Sequence, residues 1–150
     1  MAARAGRAVY YCMCGDMMRL QIKHGQMWLG DCLELMRDIP SGSVDMILCD
    51  LPYGTTACSW DSVIPFAPLW FEYWRIVKPN AAVVLTASQP FTSALIMSQI
   101  DWFKYEWIWD KNLPTGFAIA KFQPMKQHET VCIFGKRKLN YNGQLIERKS

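Results

Sequence analysis

Residues 44–54 read VDMILCDLPYG, a mostly apolar run that ends in a carboxylate, a proline and an aromatic ring. The apolar part, residues 44–49, is typical of a strand buried on both faces, as strands of parallel sheets are. Asp50 follows at the point where this predicted strand ends. Ligands of open α/β sheets bind beyond the carboxyl ends of the strands, so Asp50 indicates a functional rim.

Predicted strands and helices alternate outward from this stretch. Further strands are predicted at residues 26–31, 82–87, 105–110 and 130–134, and helices at residues 32–38, 65–77 and 91–99. This alternation predicts an α/β fold, an open sheet with helices on both faces. Asp31, Asp50 and Ser88 each come just past a strand end, so we expect them to share one rim. Residues 1–20 are predicted to be irregular, as is the long connection at residues 111–128.

Length and composition indicate one domain with its own core. The 150 residues are 51% hydrophobic and 19% charged. No apolar run approaches the roughly 20 residues that span a bilayer, and the N-terminus lacks the apolar core of a signal peptide. The six cysteines are therefore expected to be free thiols in a cytoplasmic protein. The run Cys12-Met13-Cys14 lacks the spacing of zinc sites, so no metal site is predicted.

Charge is unevenly distributed along the chain. The net charge is +3, but residues 1–110 hold 8 Lys/Arg against 11 Asp/Glu, whereas residues 111–150 hold 8 against 2. A basic final third is compatible with a polyanionic partner such as nucleic acid. A solvated face or tail would show the same charge pattern.

The order Asp50-Leu51-Pro52-Tyr53 suits chemistry at the exocyclic amino group of a base. The lone pair of that nitrogen is delocalised into the ring, and two acceptors on its hydrogens would make it reactive. Asp50 supplies one acceptor and the Leu51 carbonyl the second, because proline restricts the residue before it. Only the backbone of Leu51 is needed, so its side chain is expected to be free to vary. Tyr53 offers a flat face for a flipped-out base, and Gly54 permits a tight turn. An ordinary proline turn after a strand would contain the same residues.

Residues 30–56, GDCLELMRDIPSGSVDMILCDLPYGTT, closely resemble the start of DNA amino-methyltransferases of the adenine-N6/cytosine-N4 class. These bacterial and phage enzymes use S-adenosylmethionine and carry the tetrapeptide Asp/Asn/Ser-Pro-Pro-Tyr, which here reads DLPY. The segments RIVKPNAAVVLTASQPF and WIWDKNLPTGF…KQHETVCIFGK resemble later blocks of the family, in the order of its circularly permuted subgroup. The resemblance covers about residues 26–137. It implies a Rossmann-like methyltransferase sheet that acts on double-stranded DNA.

The resemblance also implies roles for individual residues. By this resemblance the catalytic residues are Asp50, Leu51, Pro52 and Tyr53. The cofactor contacts are Asp31, Cys32 and Asp50. The target-base contacts are Tyr53, Gly54, Lys111, Asn112 and His128. The aspartate at position 50 favours adenine-N6 over cytosine-N4. Structural roles stay open beside these. Asp31 could cap the helix after it, and His128 could be a loop residue without a role. Trp107 and Trp109 fit a core better than a base platform.

One block of the family is not found in the sequence. Its glycine-rich cofactor loop should follow residue 137 in this order, yet the only later glycine is Gly143. The sheet is therefore expected to lack central strands between those ending at Asp31 and Asp50. Exposed strand edges invite a partner, so we expect a second chain that completes the sheet. Residues 1–22 would then be an irregular extension, residues 23–137 a partial methyltransferase domain and residues 138–150 a basic tail.

Two other functions remain open from the sequence. A non-catalytic nucleic-acid-binding remnant would keep the basic third and the base pocket without the cofactor loop. The same fold could also methylate RNA or a protein side chain, because a fold does not decide the substrate.

Overall fold

The computed structural model describes residues 8–12, 18–59 and 61–143. In chain order the elements are β1 (Ala8–Cys12), β2 (Met18–Ile22), β3 (Gly25–Leu29), α1 (Cys32–Leu35), β4 (Val44–Asp50), α2 (Phe66–Ile76), β5 (Val77–Ala87), α3 (Phe91–Ser98), β6 (Phe103–Thr115) and β7 (Lys126–Phe134). Short 3₁₀ turns occupy Met36–Asp38, Ile100–Trp102 and Phe117–Ile119. Parts of the predicted extension and tail, and the residues Met13 and Cys14 of the cysteine pair, lie outside the described residues. The predicted domain boundaries remain a prediction.

The strands form two separate sheets. In the smaller sheet β3 lies between β1, to which it is parallel, and β2, to which it is antiparallel. The larger sheet has the order β4-β5-β7-β6, with only the β4–β5 pair parallel. Within the described residues β3 is not paired with β4, which agrees with a sheet interrupted between these two strands.

The N-terminal region is more regular than the sequence analysis predicts. β1 and β2 lie where an irregular segment is expected. In β2 the apolar residues Met18, Leu20 and Ile22 alternate with Arg19 and Gln21, which is the two-residue period of a strand. This short pattern is completed by pairing with β3, a contact that no single segment reveals.

One face of the larger sheet carries the hydrophobic core. Val83, Leu85 and Ala87 alternate along β5 and are fully buried. Helix α2 covers them with an apolar stripe that includes Leu69, Tyr73 and Ile76, spaced as one helix face requires. Helices α1 and α3 pack against the same cluster, through residues that include Leu35 and Leu95.

The opposite face of this sheet is open at the outer strands β4 and β6, although Ile133 of the inner strand β7 is only 2% exposed. Leu48, Val84, Ile133 and Tyr105 form one row across it, in the strand order β4-β5-β7-β6. Leu48 is 68% exposed and Met46, its neighbour on β4, is 56% exposed. The prediction that β4 is buried on both faces is therefore wrong. Helices on both sides of the sheet are likewise not seen, because no described helix covers this face.

Strands β6 and β7 form a long hairpin that takes in both ends of the predicted irregular connection, residues 111–115 and 126–128. The ladder continues through the pairs Asp110–His128 and Thr115–Lys126, with a register shift between them. Only residues 116–125 lie between the two strands. Trp107 and Trp109 do share one strand face, but both are about half exposed, so their prediction as core residues is wrong.

Arg75, in the last turn of α2, fastens this helix to the segment before β4. Its guanidinium donates to the carbonyls of Ile39 at 2.7 Å and Met36 at 2.6 Å. It also donates to Glu72 at 2.6 and 2.9 Å. The fork of donors thus binds the Ile39 carbonyl just after the 3₁₀ turn and adds a second hydrogen bond to the Met36 carbonyl, which already accepts from the N–H of Ile39 at 2.9 Å.

We expect Arg75→Ala to lower the free energy of unfolding by about 2 kcal/mol, because hydrogen bonds from a charged donor are lost and Glu72 keeps a buried carboxylate. Urea denaturation measures this difference. The matched control is Lys78→Ala, since Lys78 makes an exposed ion pair with Asp45 at 2.5 Å and should cost less than about 1 kcal/mol. Equal effects of the two substitutions would contradict the tethering role of Arg75.

Candidate active site

Asp50, Tyr53 and Thr86 form a cluster of hydrogen-bonded oxygens at the carboxyl ends of β4 and β5. The β4–β5 register sets Asp50 opposite Thr86, so both side chains lie on the open face. The Tyr53 hydroxyl lies 2.8 Å from Asp50 Oδ1 and 3.0 Å from Thr86 Oγ1. The Thr86 hydroxyl also donates to Asp50 Oδ1.

The two hydroxyls leave half of the carboxylate free. Both hydrogen bonds to Asp50 use Oδ1, and Oδ2 has no hydrogen-bond partner among the described residues. Asp50 is solvent-exposed, so Oδ2 can accept a hydrogen bond from a bound molecule. The arrangement fixes the carboxylate while it keeps one acceptor available.

Tyr53 is held by its ring as well as by its hydroxyl. Its ring stacks on Phe91 with centroids 5.2 Å apart and an interplanar angle of 29°. Burial raises the pKa of Tyr53 well above its usual value, with a smaller contribution from the charge of Asp50. The phenol therefore stays protonated at neutral pH and acts as a donor to Asp50. A base that stacks on Tyr53 would have to use the ring face opposite Phe91.

The Leu51 side chain anchors the backbone after Asp50 to the hydrophobic core. This side chain is only 5% exposed and belongs to the hydrophobic core. The prediction that this side chain is free to vary is wrong, because a polar or smaller residue would leave a defect in the core. Pro52, the next residue, is half-buried.

Asp61 organises the turn that follows Tyr53. Its carboxylate accepts from the backbone N–H groups of Gly54 at 2.8 Å, Thr55 at 2.9 Å and Thr56 at 2.7 Å. Gly54 has φ +68°, and a Cβ there would come within 2.9 Å of a methyl group of Val63. Glycine is thus required at position 54 both for conformation and for space. The sequence pattern does not reveal this role of Asp61, because its partners precede it by five to seven positions.

The hydrogen bonds of Asp61 in this turn make part of the protein's stability dependent on pH. Hydrogen bonds from Thr56 and from the backbone of Gly54 lower the pKa of Asp61 from 3.8 to about 2. A carboxyl with a lowered folded-state pKa adds stability above the unfolded value, and this stability is lost as the pH falls toward the folded value. We therefore expect part of the acid sensitivity between pH 4 and pH 2 to come from Asp61.

In Asp61→Asn this part of the pH dependence should disappear, because the amide side chain does not titrate between pH 4 and pH 2. The denaturation midpoint measured across this pH range reports the change. Thr55→Ala is the control, since Thr55 donates through its backbone and the pH dependence should remain. An unchanged acid slope in Asp61→Asn would contradict the assignment.

Among the target-base residues predicted at the β6–β7 hairpin, Lys111 is linked to Tyr53 through Glu129. Lys111 pairs with Glu129 at 2.6 Å, and the charge of Glu129 contributes to the raised pKa of Tyr53. At the same rim the ammonium of Lys126 donates to the hydroxyl of Ser88 at 2.5 Å. The rim therefore contains two cations of the hairpin beside the Asp50 cluster.

Asn112 and His128 are placed differently from Lys111. Asn112 has φ +61°, and its N–H donates to Asp110 Oδ1 at 3.0 Å, which together with Gln127 lowers the pKa of Asp110. His128 pairs in register with Asp110, and by strand alternation both point away from the face of Asp50. Neither residue is brought to Asp50, so their roles at the target base remain predictions.

Asp31 caps helix α1. Its Oδ1 accepts from the N–H groups of Leu33 at 2.8 Å and Glu34 at 3.4 Å, so the structural role left open for it is confirmed. Burial, with the charges of Asp31 and Cys49, raises the pKa of Cys32 to about 11. Cys32 is therefore a neutral thiol. Cys32 and Cys49 both pack against the hydrophobic core, so the start of α1 and the end of β4 border the same cluster.

The site lies on an open rim. A cleft of about 530 Å³, lined by Asn80 and residues 137–142, belongs to the other end of β5. Among the described residues no group of three His, Cys, Asp or Glu side chains is arranged to hold a metal ion. No helix in the described part of the chain is long and apolar enough to cross a membrane.

Several solved structures share the fold of this chain. No protein-family model matches the chain. The complex of M1.HpyAVI with S-adenosylmethionine superposes with a TM-score of 0.56 at 20% identity, covering 79% of this chain and 61% of that one. The cytosine-N4-specific PvuII DNA methyltransferase gives 0.55 at 16% identity, covering 75% and 49%. A putative DNA modification methylase from Thermus thermophilus gives 0.51 at 18% identity, covering 79% and 54%.

These similarities establish the α/β fold of DNA methyltransferases for this chain, as predicted. The chain spans about half to three fifths of the length of the structures it matches. A sheet that is smaller than theirs agrees with this coverage.

Proposed function

We propose that the chain provides the target-base site of an S-adenosylmethionine-dependent DNA amino-methyltransferase, with adenine N6 preferred over cytosine N4. The observation that carries the proposal is the Asp50 carboxylate, fixed through Oδ1 by Tyr53 and Thr86 and open at Oδ2. The DNA methyltransferases with the same fold support the reaction class. The preference for adenine rests on aspartate at position 50, as in the family that the sequence resembles.

Asp50 and Leu51 would act directly on the amino group. Asp50 Oδ2 and the Leu51 carbonyl each accept one of its hydrogens, which localises the lone pair on nitrogen. Asp50 then offsets the positive charge that develops on this nitrogen, and electrostatic stabilisation of this kind is often the largest catalytic contribution. Tyr53 and Thr86 keep the carboxylate from turning away. The base would reach the site by leaving the helix stack.

The described residues fit S-adenosylmethionine in part. Asp31 uses only Oδ1 to cap α1, so its Oδ2 is available for a hydroxyl or a cation. Together with Cys32 and Asp50 it would hold the cofactor at this rim, and the bound cofactor would supply an electrophilic methyl group. The glycine-rich turn of the resembled family is not among the described residues.

Replacing Asp50 tests this proposal. With S-adenosylmethionine and unmethylated genomic DNA, we expect Asp50→Ala to lower the methyl-transfer rate at least about 100-fold, because the acceptor is lost. DNA affinity should hardly change, since it depends mainly on phosphate contacts. Transfer of a labelled methyl group and a filter-binding assay measure the two quantities. Asp45→Ala removes an exposed carboxylate from the same strand and should leave the rate unchanged; retained transfer in Asp50→Ala would contradict the proposal.

We further propose that a second chain completes the sheet. β4 is an edge strand of the larger sheet, so among the described residues one side of its backbone has no strand partner. Its side chains Met46 and Leu48 are exposed on the open face. An unpaired edge flanked by exposed apolar side chains pairs readily with another strand. A purified chain that stays monomeric and binds S-adenosylmethionine normally would contradict this proposal.

The double variant Met46→Lys/Leu48→Lys tests the open face. Because both side chains are exposed, the unfolding free energy should change by no more than about 0.5 kcal/mol per site. Association measured by sedimentation velocity should fall. Ile47→Lys is the control on the covered face, where Ile47 packs against the core, and it should unfold the protein. Unchanged association in the double variant would exclude this face as the docking surface.

The non-catalytic alternative keeps one supporting observation. The basic hairpin would bind nucleic acid whether or not methyl transfer occurs. Methyl transfer that depends on Asp50 separates the two functions.

A further inference from the structure

The tip of the β6–β7 hairpin exposes two large aromatic side chains. Phe117 is 86% exposed and Phe122 is 87% exposed, and both lie within residues 116–125 between the strands. Neither belongs to the hydrophobic core. Two phenylalanines at nearly full exposure in one short tip indicate a surface that is covered by a partner.

Charge around the tip identifies the chemistry of that partner. Residues 111–128 contain Lys111, Lys121 and Lys126 and no aspartate or glutamate. Lys121 stands immediately before Phe122 and has no hydrogen bond or ion pair among the described residues. Cations interleaved with aromatic rings fit the phosphates and bases of a nucleic acid.

The hairpin also extends from the correct edge of the sheet. β7 runs antiparallel to β5, so its first residues pass beyond the carboxyl end of β5, where Lys126 contacts Ser88. Lys126 lies five positions before Val131, which pairs with Thr86. At about 3.4 Å per residue the tip begins roughly 17 Å beyond the row that contains Asp50. This reach is comparable with the major groove, which is about 12 Å wide.

We propose that the tip binds duplex DNA and inserts Phe117 and Phe122 at the step that is unstacked when the target base leaves the helix. This inference rests on the proposed function, because only a base that must be turned out leaves such a gap. Apolar side chains fill unstacked steps in other modes of DNA binding. Lys121 binds a phosphate beside the gap, and Lys111 and Lys126 lie between the tip and the Asp50 cluster.

A duplex with a built-in gap tests the insertion without knowledge of the recognition sequence. The probe is a 24-base-pair DNA of mixed sequence with one central abasic site, compared with the fully paired duplex. We expect the wild-type chain to bind the abasic duplex about tenfold more tightly, since no base has to be unstacked and each ring gains a stacking partner. Fluorescence anisotropy at several salt concentrations gives both affinities.

Variants separate the aromatic from the electrostatic contribution. Phe117→Ala/Phe122→Ala should abolish the preference for the abasic duplex and leave the salt dependence unchanged. Phe71→Ala is the matched control, because Phe71 is a 68%-exposed phenylalanine on α2, and the preference should remain. Lys121→Ala should weaken binding to both duplexes equally and reduce the salt slope by about 1.

Three results would overturn the inference. The preference could persist in the double phenylalanine variant. The variant could lose binding to single-stranded DNA and to both duplexes alike, which would indicate a single-strand platform. It could instead change the sedimentation of the protein without DNA, which would show that the tip packs against a second copy.

The assay contains no S-adenosylmethionine, so it is independent of methyl transfer. If the wild-type chain shows no preference for the abasic duplex and still methylates DNA in a way that depends on Asp50, only the insertion is rejected. A preference that depends on the two phenylalanines, without any methylation, would reject the proposed function alone.

Discussion

The register between β4 and β5 sets Asp50 opposite Thr86, and the candidate site depends on that pairing. Side chains alternate along a strand, so a slip of one residue would turn Asp50 to the covered face and bring Cys49 to the open face. The hydrogen bonds from Thr86 and Tyr53 would then be lost together. The covered side chains of β4 oppose such a slip, because Ile47 and Cys49 would have to leave their packing against the core. Packing on one face of the sheet therefore positions the chemistry on the other.

The open face links the fold to the proposed function. The face that carries Asp50 also exposes Met46, Leu48 and Trp107, and no described helix covers it. The same side of the molecule thus combines a fixed carboxylate with an apolar surface and a projecting basic hairpin. A protein that binds DNA, a cofactor and a second chain needs accessible surface of all three kinds. Exposed apolar side chains are unfavourable in water, so their presence on this face is consistent with partners that cover them.

Local patterns predicted much of the fold. The helices at α2 and α3 and the strands at β4, β5 and β7 contain strong apolar periodicity, and their centres lie where the sequence indicates. The position of Asp50 at a strand end followed from the same pattern. The lengths of β5, β6 and β7 did not, because their outer residues are polar and are ordered by partners across the ladder rather than by their own sequence.

The supporting residues of the site could not be read from local sequence. Thr86 is 36 residues from Asp50, and its role appears only when two strands pair. In the sequence Asp61 looks like an ordinary loop aspartate. Only the fold brings its carboxylate to the three backbone N–H groups of one turn. Trp107 lies in a strand that looks like core, yet its face remains uncovered in the described structure. In each case a long-range contact, or the lack of one, decides the outcome.

The most direct measurement is nucleoside mass spectrometry of unmethylated genomic DNA after incubation with the protein and S-adenosylmethionine. We predict a methyl group on an exocyclic nitrogen, because in the proposed mechanism Asp50 and the Leu51 carbonyl accept from an amino group; the aspartate at position 50 favours N6-methyladenine. N4-methylcytosine would retain the mechanism and contradict the preferred base. Methylation at a ring carbon, or no methylated nucleoside, would contradict the account itself.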